Sequence, residues 1–258
     1  MPEGDTVHHM AGRMREALEG KVPEQLSTPH PRHAMDHWPE RLAGLAVRSV
    51  DAYGKHLFLR FAENLTLHSH LRMTGTWGIY RSGQHWRRSP RRAWLVIRCG
   101  GVEVVQFDGP VLELMSDTRA RLDPHLKKLG EDVLGENFAP ERFLVRLRKD
   151  DPTRAIADAL LDQRNLAGIG NVWKAEACFA AGISPWRALA DLTDQQVLTI
   201  VEFARSHMRR AVQEGMHTRP RAVYGRAGQP CPRCGDHVRA RGQGDGNRVT
   251  YWCPGCQH

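Results

Sequence analysis

Four of the six cysteines lie in two Cys-x-x-Cys pairs near the end of the chain, Cys231 with Cys234 and Cys253 with Cys256. Two such pairs at this separation can bring four thiolates to tetrahedral distances around one Zn²⁺. Two disulfides or two redox pairs are the alternatives, and disulfides require an oxidising compartment. We expect one structural zinc ion, because four thiolates leave no open coordination position for a catalytic water.

The residues between the two cysteine pairs predict a β-hairpin, since glycines precede the strand-like run Val249-Thr250-Tyr251-Trp252. This hairpin would carry three arginines, Arg239, Arg241 and Arg248. The other two cysteines, Cys99 and Cys178, fall in strand and helix patterns and are interpreted as small buried apolar residues.

The start of the chain offers a second kind of chemistry. Removal of Met1 would leave Pro2 with a secondary amine, and a free α-amino group titrates at about pH 8. Such amines attack aldehydes and sugar C1′ atoms to give iminium intermediates, and Glu3 can supply the acid–base function that this chemistry requires. The alternative is an ordinary chain terminus, which these residues alone favour.

A third candidate site is the run Leu166-Ala167-Gly168-Ile169-Gly170-Asn171, which joins two predicted helices. We expect a tight turn whose backbone N–H groups face outward, a ready phosphate site at a helix N-terminus. Asn171 would cap this helix and reach a phosphate. A simple interhelical turn in a packed bundle is the alternative.

The elements that must position these residues change type along the chain. A helix is predicted over 6–20, with Asp5 or Thr6 as its cap and Gly20 as its stop. Short apolar runs bounded by Gly, Asn or charged residues then predict strands at 47–50, 57–59, 65–67, 77–80, 94–97 and 102–105. The first half is predicted to be a β-sandwich with one leading helix, or else a barrel.

The second half is predicted to be helical, at roughly 139–149, 153–165, 171–181 and 194–214. The last of these helices opens with a capping-box pattern, Thr193-x-x-Gln196. The fold class is therefore α+β. We expect four segments: a β-sandwich over 1–120, a linker over 121–137, a helical domain over 138–228 and the cysteine-bearing module over 229–258.

The composition limits the class of protein without fixing its function. The 258 residues include 37 Lys and Arg against 29 Asp and Glu, a net charge of +8, which is compatible with a nucleic-acid partner. No apolar run approaches the roughly 18 residues of a membrane span, so no membrane partner is expected. The acidic first residues do not predict a signal peptide, which makes the cytoplasm the expected compartment.

Taken together, these residues resemble the formamidopyrimidine-DNA glycosylase/endonuclease VIII family of base-excision repair enzymes. The resemblance covers essentially the whole chain. Its motifs occur in the family's order: Pro2-Glu3-Gly4, Gly54-Lys55, Gly168-Ile169-Gly170-Asn171 and the cysteine module. The ending Tyr251 to His258 is similar to the endonuclease VIII branch.

The resemblance implies a bifunctional glycosylase and AP lyase. Pro2 would attack C1′ of the damaged nucleotide, release the base and leave an imine to the DNA, with Glu3 as the general acid–base. Lys55 matches the lysine that assists base release and β-elimination. Arg248 matches the arginine that binds the lesion phosphate and is assigned to δ-elimination. Without the resemblance, Lys55 is interpreted as a solvated strand lysine and Arg248 as a surface arginine.

The resemblance also implies a DNA-binding set. Within Leu71-Arg72-Met73-Thr74-Gly75, Met73 would be an apolar wedge that fills the space of the extruded base, and Arg72 would address the opposite base. Asn171 matches the asparagine on the DNA backbone. Lys128 lies where family members carry a basic phosphate contact, although Lys127 is equally available.

Two departures from the formamidopyrimidine branch favour oxidised pyrimidines as substrates. That branch has a basic-aromatic segment for the orphaned base, where this chain has Asp108-Gly109-Pro110-Val111-Leu112. It also has a longer lesion-capping loop, where this chain has only 217–222. We expect a monomer that acts on double-stranded DNA with oxidised bases or abasic sites. The alternatives are a purine-type formamidopyrimidine/8-oxoguanine glycosylase, a catalytically silent DNA-damage-binding protein, and an unrelated zinc-ribbon regulator.

Overall fold

The computed structural model describes residues 2–244 and 246–258, which form two compact units. The N-terminal unit comprises Pro2 and Thr6–Lys127, and the C-terminal unit comprises Glu3–Asp5 and Lys128–His258. The chain therefore changes unit twice within its first six residues.

The N-terminal unit contains two four-stranded antiparallel sheets. Its helices are α1 (Gly4–Leu18, which starts with residues of the other unit), α2 (Trp38–Leu42), α3 (Asp117–Leu122) and α4 (Pro124–Lys127). Its strands are β1 (Gln25–Ser27), β2 (Val47–Tyr53), β3 (His56–Phe61), β4 (Leu65–His70), β5 (Thr76–Arg81), β6 (Ala93–Cys99), β7 (Val102–Phe107) and β8 (Val111–Ser116). The strand orders are β1-β6-β7-β5 and β2-β3-β4-β8.

These two sheets face each other across one apolar core, which is the expected sandwich. Leu57 and Leu59 of β3 point to one side of their strand and pack into the same buried cluster as Leu95 and Ile97 of β6. Successive side chains of a strand point to opposite faces, so the alternate residues of β3 lie on the outer face. Helix α1 covers this core with four buried apolar residues at helical spacing, Val7, Ala11, Met14 and Leu18.

The C-terminal unit combines helices with a small terminal hairpin. Its helices are α5 (Pro140–Leu147), α6 (Ile156–Leu161), α7 (Asn171–Ala180) and α8 (Asp194–Glu214). Its strands are the short parallel pair β9 (Glu131–Asp132) and β10 (Leu166–Ala167), and the antiparallel pair β11 (Arg239–Gln243) and β12 (Arg248–Trp252). The segment 121–137, expected as a linker, holds the end of α3 together with α4 and β9.

Helix α8 forms as its sequence predicts. The Thr193 side chain accepts from the Gln196 N–H and the Gln196 side chain accepts from the Thr193 N–H, which completes the capping box. The apolar face of α8 packs with Trp173 of α7, which has no solvent exposure, in the core of this unit.

The α+β fold class is confirmed. Among the described residues, four strands were not anticipated: the three-residue β1, β8, which follows Pro110, and the two-residue strands β9 and β10. Short single-turn 3-10 helices occur at Pro31–His33, Ala62–Asn64, Pro90–Arg92, Leu189–Asp191 and Met216–Thr218. In the described part of the chain, no helix is long and apolar enough to cross a membrane.

Candidate functional site

The carboxylate of Glu3 is held by the first N–H groups of α7. It has no solvent exposure and accepts hydrogen bonds from the backbone N–H groups of Gly170 (3.1 Å), Val172 (2.8 Å) and Trp173 (3.3 Å). A carboxylate at a helix N-terminus is stabilised by the helix dipole as well as by these bonds. The arrangement fixes both oxygens of Glu3, the residue that follows Pro2.

This arrangement requires glycine at two positions. A Cβ atom on Gly170 would lie 2.4 Å from the Glu3 carboxyl carbon, and one on Gly4 would lie 2.9 Å from the Gly168 Cα atom. The Gly4 N–H also donates to the Gly168 carbonyl at 2.9 Å. Glu3-Gly4 and Gly168-Ile169-Gly170 are therefore complementary in shape.

Two expectations for this turn are wrong. Its N–H groups do not face outward as a phosphate site, because Glu3 occupies them. Asn171 does not cap α7: the N-cap is Gly170, and the Asn171 amide Nδ2 donates to the Val249 carbonyl at 2.8 Å. A carboxylate remote in sequence takes the place that a local cap was expected to fill.

Asp5 and Arg219 form a second buried contact that the sequence did not reveal. Asp5 has no solvent exposure, and its Oδ2 atom accepts from Arg219 Nε at 2.7 Å and from the Trp173 indole N–H at 3.0 Å. Arg219 Nη2 donates to the other carboxylate oxygen, so the pair is bidentate. The short segment 217–222 thus anchors the start of α1.

In the N-terminal unit, Pro2 is half-buried and Lys55 lies in a turn. Tyr53 pairs with His56, so Gly54 and Lys55 are the two loop residues of the β2–β3 hairpin, with Gly54 at φ +56°. Lys55 was expected on a strand. Lys55 instead lies in the loop that joins the two strands, and it is half-buried.

Three histidines line the outer face of β3 and β4 beside this turn. The rings of His56 and His68 are hydrogen-bonded, with Nδ1 of the first 2.9 Å from Nε2 of the second, and His70 pairs with His56 across the strands. Burial lowers the pKa of His56 to about 2, helped by His70, His68, Lys55 and Arg72. Burial also lowers the pKa of His70 to about 4, helped by Arg72 and Lys55. The cluster is therefore uncharged at neutral pH. Sequence reasoning missed it because the cross-strand register was not known.

The segment 71–75 is a tight turn, closed by the hydrogen bond from the Gly75 N–H to the Leu71 carbonyl at 2.9 Å. Leu71 is buried, whereas the Met73 side chain is 63% exposed and Arg72 is exposed in the left-handed region at φ +44°. The turn therefore presents both expected DNA-contacting side chains to solvent.

Asp108 is linked to this turn through Arg88. Its carboxylate pairs with Arg88 at 2.6 Å and Arg92 at 2.8 Å, while the Arg88 guanidinium also donates to the Thr74 carbonyl. Partial burial raises the pKa of Asp108, but the hydrogen bonds from Arg92 and Arg88 outweigh it and leave the pKa lowered. Neither arginine was singled out from the sequence.

Arg248 is exposed at the start of β12, directly opposite Gln243 of β11. It lines a cavity of 390 Å³ together with Arg154 and the carboxylates of Asp158 and Asp162. A hydrogen bond from Arg164 lowers the pKa of Asp162. Asn171, whose amide holds the neighbouring Val249, is buried. Lys128 and Lys127 are both exposed.

The four terminal cysteines converge on one point. Their sulfur atoms all lie within 4.8 Å of one another, and contacts between the two Cys-x-x-Cys pairs include Cys234 to Cys253 at 3.4 Å and Cys231 to Cys256 at 3.8 Å. Four sulfur atoms bound tetrahedrally to one zinc ion, with Zn–S bonds of about 2.3 Å, lie about 3.8 Å from one another. A disulfide requires about 2.05 Å, so the disulfide alternative is wrong. The donor set fits one structural Zn²⁺.

The cysteine-bearing hairpin, called here the ribbon (residues 228–258), packs on the C-terminal end of α7. The Arg233 guanidinium lies 4.4 Å from the centre of the Phe179 ring, and Arg241 lies 4.1 Å from that of Trp186. The buried carboxylate of Glu176 accepts from three backbone N–H groups of the preceding segment, those of Ala222, Val223 and Tyr224. The ribbon is therefore positioned by α7.

Three family models match the chain in succession. The model of the formamidopyrimidine-DNA glycosylase N-terminal domain matches residues 1–110, and that of the formamidopyrimidine-DNA glycosylase H2TH domain matches 129–221. The model of the zinc finger found in FPG and IleRS matches 228–258. These matches exclude an unrelated zinc-ribbon regulator.

Full-length relatives agree with these models. The chain is 41% identical over 266 residues to a probable endonuclease 8 2 of Streptomyces coelicolor, covering all of this chain and 94% of that protein. It is 39% identical to the DNA-(apurinic or apyrimidinic site) lyase Nei2 of Mycolicibacterium smegmatis, covering all of this chain and 99% of that protein. The Lactococcus lactis formamidopyrimidine-DNA glycosylase, solved non-covalently bound to AP-site DNA, superimposes with a TM-score of 0.83 at 23% identity over 99% of each chain.

A β-sandwich, a helical unit with a glycine turn and a four-cysteine ribbon together define the architecture of formamidopyrimidine-type glycosylases. With relatives of this similarity along its whole length, the chain belongs to the formamidopyrimidine-DNA glycosylase/endonuclease VIII family.

Proposed function

We propose that this chain is a bifunctional DNA glycosylase and AP lyase of base-excision repair. Its substrate is double-stranded DNA that contains an oxidised base, or an abasic site. The observation that carries this proposal is the fixed carboxylate of Glu3, the residue next to Pro2. Three backbone N–H groups at the start of α7 hold this carboxylate. A protein that only binds damaged DNA has no need of this arrangement.

The reaction begins at the amine of Pro2, which must be the first residue once Met1 is removed. The amine nitrogen attacks C1′, the bond from C1′ to the base breaks, and the base leaves with a proton from a general acid. Loss of the amine proton leaves Pro2 bonded to C1′ of the closed sugar ring. The C1′–O4′ bond then breaks as O4′ takes up a proton, which opens the ring and gives an iminium ion between Pro2 and C1′. Loss of a C2′ proton then expels the 3′ phosphate, and a second elimination expels the 5′ phosphate. Water releases the unsaturated sugar and restores the amine.

We assign the other roles by chemistry and by family resemblance. Glu3 is the general acid–base, and Lys55 assists base release and β-elimination. Arg248 binds the phosphate at the lesion and promotes δ-elimination, with Asn171 and Lys128 on the DNA backbone. Met73 fills the space left by the extruded base, and Arg72 addresses the opposite base.

The zinc ion has a structural role. Four thiolates complete its coordination, so it fixes the ribbon and takes no part in the chemistry. We place the activity in the cytoplasm at the nucleoid, because the proposed substrate is chromosomal DNA.

We propose oxidised pyrimidines as the preferred lesions. Relatives named endonuclease 8 support this choice. So does Asp108-Gly109-Pro110, which stands where the formamidopyrimidine branch has a basic-aromatic segment. Rates of base release from thymine glycol and 8-oxoguanine duplexes decide it. Faster release of 8-oxoguanine would establish the purine-type alternative.

Borohydride trapping tests the mechanism. Incubation with abasic-site DNA followed by reduction should give a covalent adduct that maps to Pro2 by peptide mass. An N-terminal extension should abolish the adduct, because it converts the amine to an amide. If the zinc-loaded protein without Met1 gives no adduct, the chain is a silent damage-binding protein.

A further inference from the structure

Lys174 is a fully buried lysine of α7 to which neither the proposed chemistry nor DNA binding assigns a role. Its side chain has no solvent exposure. The pKa of its amine is lowered to about 8, chiefly by burial and in smaller part by Arg248, while Cys178, Asp158 and Glu3 act in the opposite direction. A buried amine is costly unless it is well paired, so its contacts identify what it does.

The Lys174 amine reaches the strand that carries Arg248. Its Nζ atom donates to the Thr250 hydroxyl at 2.6 Å, and Thr250 donates to the Gln243 amide oxygen at 2.6 Å. The Gln243 amide nitrogen donates in turn to the Pro185 carbonyl at 3.0 Å. This buried series of hydrogen bonds runs from α7 across both strands of the ribbon hairpin.

Two members of this hydrogen-bond series, Thr250 and Gln243, lie next to Arg248 in the hairpin. Thr250 lies two residues after it on β12, and Gln243 is its cross-strand partner. Asn171, one helical turn before Lys174, holds the intervening Val249 through its carbonyl. Asn171 and Lys174, on one face of α7, therefore donate hydrogen bonds to two successive residues of β12, Val249 and Thr250.

The hairpin also approaches α6 closely at this point. A Cβ atom on Gly244 would lie 2.4 Å from an Asp158 carboxylate oxygen. Asp158 is one of the groups that favour the charged form of Lys174. The residue after β11 thus packs closely against α6, while Thr250 of β12 contacts α7.

We propose that Lys174 is a positioning residue for Arg248: through Thr250 it fixes the register and orientation of β12, so that the guanidinium is presented to a DNA phosphate. The inference rests on the phosphate-binding role proposed for Arg248.

The first test needs no DNA. Amide hydrogen exchange of 239–252 in the zinc-loaded protein should rise about tenfold in Lys174→Met and in Thr250→Val. Thr250→Ser, which keeps the hydroxyl, should exchange like the wild type. The exposed Lys149 provides a control, Lys149→Met, which should change nothing. Unchanged exchange in both Lys174→Met and Thr250→Val would overturn the proposal.

The second test measures binding to a duplex with a tetrahydrofuran abasic analogue as a function of salt. Lys174→Met should weaken binding about tenfold and lower the salt slope by about one, as Arg248→Ala should. Because both act on one contact, the double variant should bind no more weakly than Arg248→Ala alone. Fully additive losses would overturn the positioning role.

A third readout separates positioning from general damage to the fold. Lys174→Met should shift the products on abasic DNA from δ- toward β-elimination, with the yield of the Pro2 adduct retained. If Lys174→Met does not bind zinc or fold, the Thr250→Val and Thr250→Ser pair decides in its place. If the wild type gives no adduct, the proposed function fails, while the exchange experiment still decides the role of Lys174.

Discussion

Asp5 and Arg219 stand 214 positions apart in the sequence and form a buried bidentate ion pair, with Arg219 Nε 2.7 Å from the Asp5 carboxylate. The Trp173 indole donates to the same carboxylate. The first turn of α1 is thereby fastened to the segment that follows α8. Glu3, two positions earlier, is held separately by backbone N–H groups at the start of α7.

Arg219→Ala should destabilise the protein by about 3 kcal/mol, because it leaves an uncompensated buried carboxylate. Urea unfolding measures the loss. Removal of Asp5 as well should cost less than the sum of the single changes. Arg210 supplies a control, since its ion pair with Glu214 is exposed and its removal should cost about 0.5 kcal/mol or less. Equal losses in the two arginine variants would contradict a buried pair.

Gly170→Ala should abolish adduct formation with abasic DNA, or reduce it at least about a hundredfold, since misplacement of a catalytic group by about 1 Å has this effect. The added methyl would collide with the Glu3 carboxyl carbon. Gly12, within α1, has no neighbour within 4 Å of a built Cβ. Gly12→Ala should therefore keep full activity and gain about 0.5 kcal/mol in stability. An active Gly170→Ala protein would contradict the assigned role of Glu3.

Met73→Ala should slow release of an oxidised base from duplex DNA while leaving cleavage at a preformed abasic site nearly unchanged. An abasic site has no base to extrude, so it does not need the wedge. Stability should not change, because the side chain is largely exposed. Met35, which is also exposed, gives a control in which neither rate changes. The ratio of the two rates is the measurement, and an unchanged ratio argues against a wedge.

Acid should destabilise the folded N-terminal unit through its histidine cluster. The pKa of His56 in the folded protein, about 2, lies below its ordinary value of 6.5. Between these values the unfolded chain binds a proton that the folded chain excludes, so stability falls as pH falls below 6.5. From pH 6.5 to 4.5 the loss should be about 2 kcal/mol. His56→Gln should show a smaller loss in chemical unfolding, whereas the exposed His85→Gln should match the wild type.

Cys234→Ser should remove the zinc ion and weaken DNA binding, because the ribbon that carries Arg248 would lose its fixed geometry. Metal analysis by mass spectrometry should show one zinc per wild-type chain. Cys99→Ala, at a buried cysteine outside the cluster, should keep the metal. Full zinc content in Cys234→Ser would refute ligation by four thiolates.

Much of the fold was predictable from local patterns. Helix α8 has a capping box, an apolar stripe and a terminal glycine, Gly215, and all three signals agree with the structure. The hairpin between the cysteine pairs also forms where its glycines and aromatic run predict it. Strand β1 was missed because three residues are too few to show a period.

The site was less predictable, because its contacts join residues far apart in sequence. Pro2, Glu3 and the glycine turn could be selected by chemical type and family resemblance. Nothing local indicates that Glu3 takes the N–H groups of α7 in place of a cap, or that Asp5 has Arg219 as its partner. The buried amine of Lys174 looked like an ordinary helix lysine, since burial follows from a packing that one sequence does not display.

The attachment of Glu3 and Asp5 to residues 170–219 also bears on synthesis. Ribosomes add about 5–20 residues per second, so about 10–40 s separate translation of Asp5 from that of Arg219. During this interval the nascent chain has Asp5 but not the arginine that pairs with it. A truncated product that ends before Arg219 lacks the ion pair between Asp5 and Arg219. Formation of the buried Asp5–Arg219 pair is therefore delayed until the ribosome has passed residue 219.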